Sequence, residues 1–344
     1  MNTLTNHPIF KDTAPYGELK KRPLGFVDIG ARGGIHPLVQ PLAEVTGVLG
    51  FEPDRAECQR LREEVMKGAP WATCEIEPVA LADKIGNSLL YLLAAETNHS
   101  LRPPNQGFIE RYNMVKFEKT GSTRVETTTL DDVLFSRRAH EPFWGEFLKL
   151  DTQGTEFEIL TGAKRTLTER TSALIIEVEF CQIYKEQKLF SEVEMFLREL
   201  GFSFYGFSQM AFRSCKQLNK QNEIGQERIL WADAIFFKES LPSQSLNWIQ
   251  KSREYYVIFV TALLLGYFDF ALEVALKTWA KDVEGQRVQD LIHDLAAIPE
   301  GQSCAAVRAL SDEVKECPTH ANVLIGKFID RHRFAGDYED VILS

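Results

Sequence analysis

The stretch FVDIGARGG, residues 26–34, decides the fold. Phe26, Val27 and Ile29 are apolar and partly β-branched, as in a buried parallel strand. The strand runs into Gly30, Gly33 and Gly34, where glycine permits positive φ and lets backbone approach a ligand closely. Pro37 suits the first turn of a helix, and Leu38, Leu42 and Val45 recur at helical spacing. Residues 46–51 then read as a second strand that ends in Glu52. An acid at that tip can accept hydrogen bonds from both hydroxyls of a nucleoside ribose. Strand, glycine turn, helix, strand and acid make the opening of a Rossmann-like α/β sheet.

Two cofactors use this geometry. The dinucleotide fingerprint G-x-G-x-x-G, started at Gly30, fails at Arg32 and Ile35. Asp28, just before the turn, would repel a pyrophosphate. It suits S-adenosyl-L-methionine (SAM), whose amino-acid end carries an ammonium. The reading puts Asp28, Gly30, Ala31, Arg32 and Gly34 at the methionine end of the cofactor, and Glu52 with Pro53 at its ribose. A glycine turn in some other α/β protein is the alternative.

Strands and helices continue to alternate. Asp54 with Glu57 starts a helix whose apolar face is Cys58, Leu61 and Val65. Residues 73–81 read as a third strand, with Ala80 and Leu81 at its C-terminal end, where open α/β sheets bind ligands. Residues 88–93 read as an extra strand. The irregular segment 94–121, with His99 and Ser100, is long enough to close over a cofactor. Thr129 caps a short helix, residues 147–150 form a fourth strand ending at Asp151, and Gly154 turns the chain into a helix carrying Phe157, Leu160 and Leu167. A fifth strand covers 173–178. Ser191 and Glu194 form a capping box, followed by Val193, Phe196, Leu197 and Leu200 at helical spacing. Residues 202–207 and 231–237 read as two closing strands.

In this order the chain resembles the FkbM-like family of SAM-dependent methyltransferases. The resemblance rests on DIGARGG at 28–34, FEPD at 51–54, TLDD at 129–132, KLDTQGTEFEILTGA at 149–163 and IIEVEF at 175–180. It departs from the family pattern at Arg32, where a small amide is usual, and at Gln153, where Glu is usual. The resemblance implies a seven-stranded, mostly parallel sheet of order 3-2-1-4-5-7-6 with the last strand antiparallel. It also implies methylation of hydroxyls on sugars, surface glycans or natural products. An N-methyltransferase acting on an amine and a non-catalytic SAM-binding scaffold of a glycan-assembly complex are the alternatives.

Methyl transfer to a hydroxyl needs the acceptor held in line and its proton drawn off. Asp151, at the end of the fourth strand, is the first candidate, for the acceptor, for the SAM ammonium or for both. Glu177 and Glu179 share one face of an apolar strand, where a carboxylate is costly to bury without a partner, so Glu177 is the second. His99, in the long loop, is the third. Ser100, Ala80 and Leu81 are expected beside the cofactor. Asp151, Glu177 and Glu179 could together hold a divalent cation, but the spacing does not demand one, so no metal is expected.

The net charge of −10 argues against a nucleic-acid-binding surface. Six cysteines lie at 58, 74, 181, 215, 304 and 317 without a C-x-x-C pair, as free thiols of a reducing compartment. No apolar run is long enough for a signal peptide or a membrane span, which points to a cytoplasmic protein. The chain divides into a polar lead-in arm at 1–24, a methyltransferase domain at 25–239 and a helical extension at 240–344. Residues 249–281 read as helical with a break at Gly266, and ALLLGYFDFALEVALKTW resembles one tetratricopeptide helix junction. The extension is expected to pack on the domain or on a second copy of the chain.

Overall fold

The computed structural model describes residues 4–141, 143–215, 217–218, 227–239, 248–279, 283–297 and 302–332. Its centre is β1 (Leu24–Ile29), all six residues of which are buried. β1 pairs in parallel with β2 (Thr46–Phe51) on one side and with β7 (Phe147–Leu150) on the other. β3 (Thr73–Glu77) extends the sheet beyond β2, and β8 (Ala173–Glu179) extends it beyond β7. β10 (Arg228–Lys238) lies antiparallel between β8 and β9 (Phe202–Arg213), which closes the order 3-2-1-7-8-10-9. With the fourth and fifth main strands numbered seven and eight, this is the order implied by the resemblance. Val27, Ile29, Leu148, Leu150, Leu174 and Ile176 form the centre of a core on one face of the sheet.

The differences from the sequence reading have local causes. Residues 73–81 split, because Pro78 cannot donate to a ladder. β4 (Ala80–Leu81) instead joins β5 (Gly86–Leu93) and β6 (Lys119–Thr128) in a second sheet of three strands. β6 takes the end of the supposed loop; its polar residues follow its exposure, with only Thr127 and Thr128 buried. The segment after the glycine turn, Pro37–Val45, is a 3₁₀ rather than an α-helix. Pro41 inside it has no N–H to donate to residue 37. The helix over Phe157 and Leu167 is two, Glu156–Thr161 and Lys164–Glu169. The capping box lies two residues earlier than expected: Glu192 Oε2 accepts from Leu189 N at 3.0 Å, and the helix is Phe190–Glu199.

The chain forms two compact units, Met1–Ile292 and His293–Ser344. In the first, residues of the supposed arm form the helices Pro8–Lys11 and Ala14–Lys21 and bury Phe10 and Leu19 completely. Helices Trp248–Leu265 and Phe268–Thr278 belong to the same unit as the sheet, and they meet at Gly266 with φ +81°. Tyr205 and Phe237 of the sheet stack edge-on against Tyr267 of this helix pair. Lys281, the end of the helical run read from sequence, lies outside the described residues. At the N-terminal edge of the sheet, buried Glu146 binds two guanidiniums: Arg22 Nη2 at 2.9 Å, and Arg253 through Nε at 2.7 Å and Nη2 at 2.6 Å. Its Oε2 also accepts from Gly25 N at 3.0 Å. The second unit carries the helices Gln302–Glu316 and Ala321–His332. Cys58, Cys74, Cys181, Cys215 and Cys317 are free. Among the described residues, no helix is long and apolar enough to cross a membrane.

Candidate functional site

The C-terminal ends of the parallel strands open into a cleft of about 200 Å³. Its walls include Gly30, Glu52, Pro53, Ala80, Leu81 and Asp151, each expected there from sequence. Gly30 begins the turn with φ +88°, and a Cβ there would lie 1.9 Å from the Asp151 carbonyl oxygen. The residue type therefore permits the close crossing of the first and fourth main strands that shapes the floor. Glu52 is buried, and its Oε1 accepts from Asp54 N at 2.8 Å. Burial raises its pKa to about 7, against the opposing pull of that N–H and of Arg32. Arg32 lies across the cleft wall, 3.8 Å from Glu52, 3.3 Å from Asp54 and 2.7 Å from Glu96.

The segment between β5 and β6 covers the cleft from the other side. His99 and Ser100 both line it. His99 Nδ1 accepts from Leu93 N at 3.1 Å, and burial lowers the imidazole pKa. Its Nδ1 is therefore already occupied, and a base role would fall to Nε2. Ser100 Oγ donates to Gln153 O at 2.6 Å and accepts from Arg102 N at 2.9 Å.

Asp28, Ala31 and Gly34 do not line this cleft. Asp28 is fully buried on the opposite face of β1 from Val27 and Ile29. Its Oδ2 accepts from His36 N at 2.7 Å, its Oδ1 is 3.6 Å from Lys149 Nζ, and burial raises its pKa. Ala31 is packed in a small apolar cluster with Cys58, Leu61 and Ile76. Gly34, at φ +130°, lines a separate outer groove.

Asp151 stands on the boundary of two spaces. It lines the cleft and also a second cavity of about 120 Å³. Glu177 lines only the second. The two carboxylates are joined by one amide: Gln153 Nε2 donates to Asp151 Oδ1 at 2.9 Å and to Glu177 Oε2 at 3.0 Å. The Tyr184 hydroxyl, completely buried, lies 2.9 Å from both Gln153 Oε1 and Asn98 O. Gln153 adopts φ +60°, a conformation that costs a non-glycine residue about 1–3 kcal/mol and persists where the surroundings impose it. Burial, and then the charges of Asp151 and Glu179, push the Glu177 pKa well above its ordinary value. Lys149 Nζ is 3.6 Å from Asp28 Oδ1 and 3.6 Å from Asp151 Oδ2. Burial opposes its charge, but the carboxylates outweigh burial and hold its pKa above the usual lysine range.

Asp151, Glu156 and Glu177 bring ligand atoms within 4.8 Å of one another. Glu156 differs from the other two in its bonding. Its Oε1 accepts from Thr152 N at 2.7 Å and its Oε2 from Gly154 N at 3.0 Å, so it closes the turn after β7. Burial raises its pKa to about 7. Glu179 is buried beside it with its pKa also raised, first by burial.

Lys149, Trp231 and Asp233 had no functional role in the sequence reading. Lys149 alternates with Asp151 on one strand, a signal the period of two contained. Asp233 lies in the apolar run WADAIFF, which invites the argument applied to Glu177.

A model of the methyltransferase FkbM domain matches residues 28–204. No curated protein matches the chain. Solved structures similar to it include an FkbM methyltransferase from Methylobacillus flagellatus KT, at 16% identity and a TM-score of 0.34 over 68% of this chain. The chain spans about half the length of that protein, 51%. A magnesium protoporphyrin IX methyltransferase from Synechocystis PCC 6803, solved with bound SAM, matches at 13% identity and a TM-score of 0.30, over 63% of this chain and 72% of that one. A putative tRNA (m1A22) methyltransferase from Streptococcus pneumoniae, in complex with SAM, matches at 9% identity and a TM-score of 0.32, over 81% of this chain and 96% of that one.

Proposed function

The chain belongs to the FkbM methyltransferases, a SAM-dependent family, and from that premise we propose that it methylates a hydroxyl on a sugar, a surface glycan or a natural product. The observation that carries the reading is the position of Asp151, on the wall shared by the cleft and the second cavity. When bound, SAM supplies a methyl group already activated by its sulfonium. The residues present suit it: Glu52 offers a buried carboxylate at the tip of β2 for the ribose hydroxyls, and Val79, Ala80 and Leu81 give an apolar wall. Asp28 is fully buried, bonded to His36 and away from the cleft, whereas Asp151 lines it, so Asp151 is the better placed acid for the cofactor's ammonium.

The chain's own chemistry is then to hold an acceptor hydroxyl at the boundary and draw off its proton. Asp151 orients that hydroxyl from one side. Glu177, whose raised pKa gives it proton affinity beyond that of an ordinary carboxylate, takes the proton from the other. Gln153 keeps both carboxylates aimed at the same point. Free thiols suit a reducing compartment such as the cytoplasm.

The test is turnover in near-isosteric variants, read as S-adenosylhomocysteine release with glycan extracts and sugar nucleotides as acceptors. Glu177→Gln should lower turnover by about 10²–10⁴-fold and leave SAM affinity largely intact. Asp151→Asn should lower turnover and weaken SAM binding together. Native turnover in both variants would place the base elsewhere, with His99 next to be tested.

A further inference from the structure

β9 and β10 pair irregularly, and two of their three register shifts fall side by side. The register shifts between Ile229 and Trp231 and again between Trp231 and Asp233. On the facing strand Gln209 holds φ +48°. Bulges re-aim side chains, and here Gln209, Trp231 and Asp233 all line the second cavity, across from Lys149, Asp151 and Glu177. Asp233 is half-buried in the otherwise apolar run 231–237, and among the described residues no donor is hydrogen-bonded to it. A carboxylate in that setting is costly unless something else bonds it.

We infer that this second cavity is the acceptor chamber, and that it takes an uncharged, hydroxyl-bearing ring laid against the Trp231 indole and hydrogen-bonded by Asp233 and Gln209. The inference deepens the proposed methyl transfer and rests on it. The chemical class follows from the mixture of groups on the wall. Asp151, Glu177 and Asp233 accept hydrogen bonds; Lys149 donates them. His36 Nδ1 accepts from Leu38 N at 3.3 Å, which leaves Nε2–H as a donor on the neutral ring. Burial and the neighbouring Lys149 keep that imidazole from protonating. Gln209 offers both kinds of group. A hydroxyl donates and accepts, so several hydroxyls on one ring satisfy such a wall. An ammonium only donates, so it would leave the Lys149 ammonium and the His36 Nε2–H without an acceptor, and Lys116 Nζ, 5.8 Å from the indole centroid, already supplies a cation over that ring. A phosphate on the ring only accepts and would face three carboxylates. The indole supplies the flat apolar surface that the C–H face of a pyranose needs. The shared wall at Asp151 then puts one ring hydroxyl at the mouth of the cofactor cleft.

Fluorine NMR of the full-length protein, labelled with fluorotryptophan and saturated with S-adenosylhomocysteine, tests this. The Trp231 resonance is assigned with Trp231→Phe. The probes are the methyl pyranosides of glucose, galactose, mannose and rhamnose, with a glucose phosphate and glucosamine as charged counterparts. We expect at least one neutral glycoside to shift the Trp231 resonance saturably. Asp233→Asn should weaken that binding by about tenfold or more, the scale for a hydrogen bond to a charged group. The charged probes should bind more weakly still. A Trp231 resonance unmoved by every neutral glycoside would overturn the inference, as would a charged probe that binds as tightly as the neutral ones. Calorimetry of S-adenosylhomocysteine on the same sample separates the failures. Absence of that binding defeats the cofactor cleft itself, whereas normal binding with a silent Trp231 defeats only the acceptor chamber.

Discussion

The two edges of the sheet treat charge in opposite ways. At the N-terminal edge, one carboxylate, Glu146, is shared by the guanidiniums of Arg22 and Arg253 and by the Gly25 amide. At the C-terminal edge, one ammonium, Lys149, is shared by Asp28 and Asp151, while Glu52, Glu156, Glu177 and Glu179 crowd in with raised pKa values. Both edges desolvate ions at a cost. The first edge satisfies both oxygens of Glu146 and ties the helix Trp248–Leu265 to the sheet. The second keeps acids in excess. A fold gains nothing in stability from such an excess, which is why the proposed binding and chemistry are placed at this edge.

The sharpest way to break this contrast is at Glu146. Glu146→Ala leaves the half-buried Arg253 guanidinium, the more exposed Arg22 and the Gly25 amide without their carboxylate and should cost about 1.5–3 kcal/mol of stability, measured by urea unfolding. Folded material should still bind SAM, because the cleft lies at the opposite strand ends. A Glu146→Ala protein of native stability would show that the N-terminal edge is not the anchored one.

A smaller effect follows from the acids themselves. Glu52 and Glu156, with pKa values near 7, and Asp233, with one near 6, bind their protons more tightly folded than unfolded. Stability from these groups is therefore full below about pH 4.5 and is lost as the pH rises toward 7. The unfolding temperature of the SAM-free protein should fall between about pH 5 and pH 8, and Glu52→Gln should flatten that fall. A rising unfolding temperature over this interval would mean that the edge is compensated after all.

Much of this was legible in the sequence because it is written in local patterns. The period of β1, the glycine at position 30 and the acid at Glu52 each follow from neighbours in the chain, and the family resemblance supplied the strand order. The split of residues 73–81 was also local, since Pro78 stands in plain view. What escaped depends on long-range contact. Asp28 reads as a cofactor acid from its place in the turn, yet a lysine 121 positions later claims it at 3.6 Å. Gln153 reads as a departure from a family pattern, whereas the structure makes it the amide that joins Asp151 to Glu177. β6 is polar and exposed along most of its length, so no alternation announced it. The second cavity needs β9 and β10 beside β7 and β8, a closeness that no spacing encodes.

The cofactor assignment depends on the cleft at the end of β2. Calorimetric titration of SAM into the native protein and into Glu52→Ala measures it most directly. The native protein should bind, and the variant should lose about 1.5–3 kcal/mol of binding free energy, the scale for hydrogen bonds to a charged acceptor. Equal affinity in the two proteins, or tight binding of NADH by the native one, would contradict the assignment of the cofactor to this cleft.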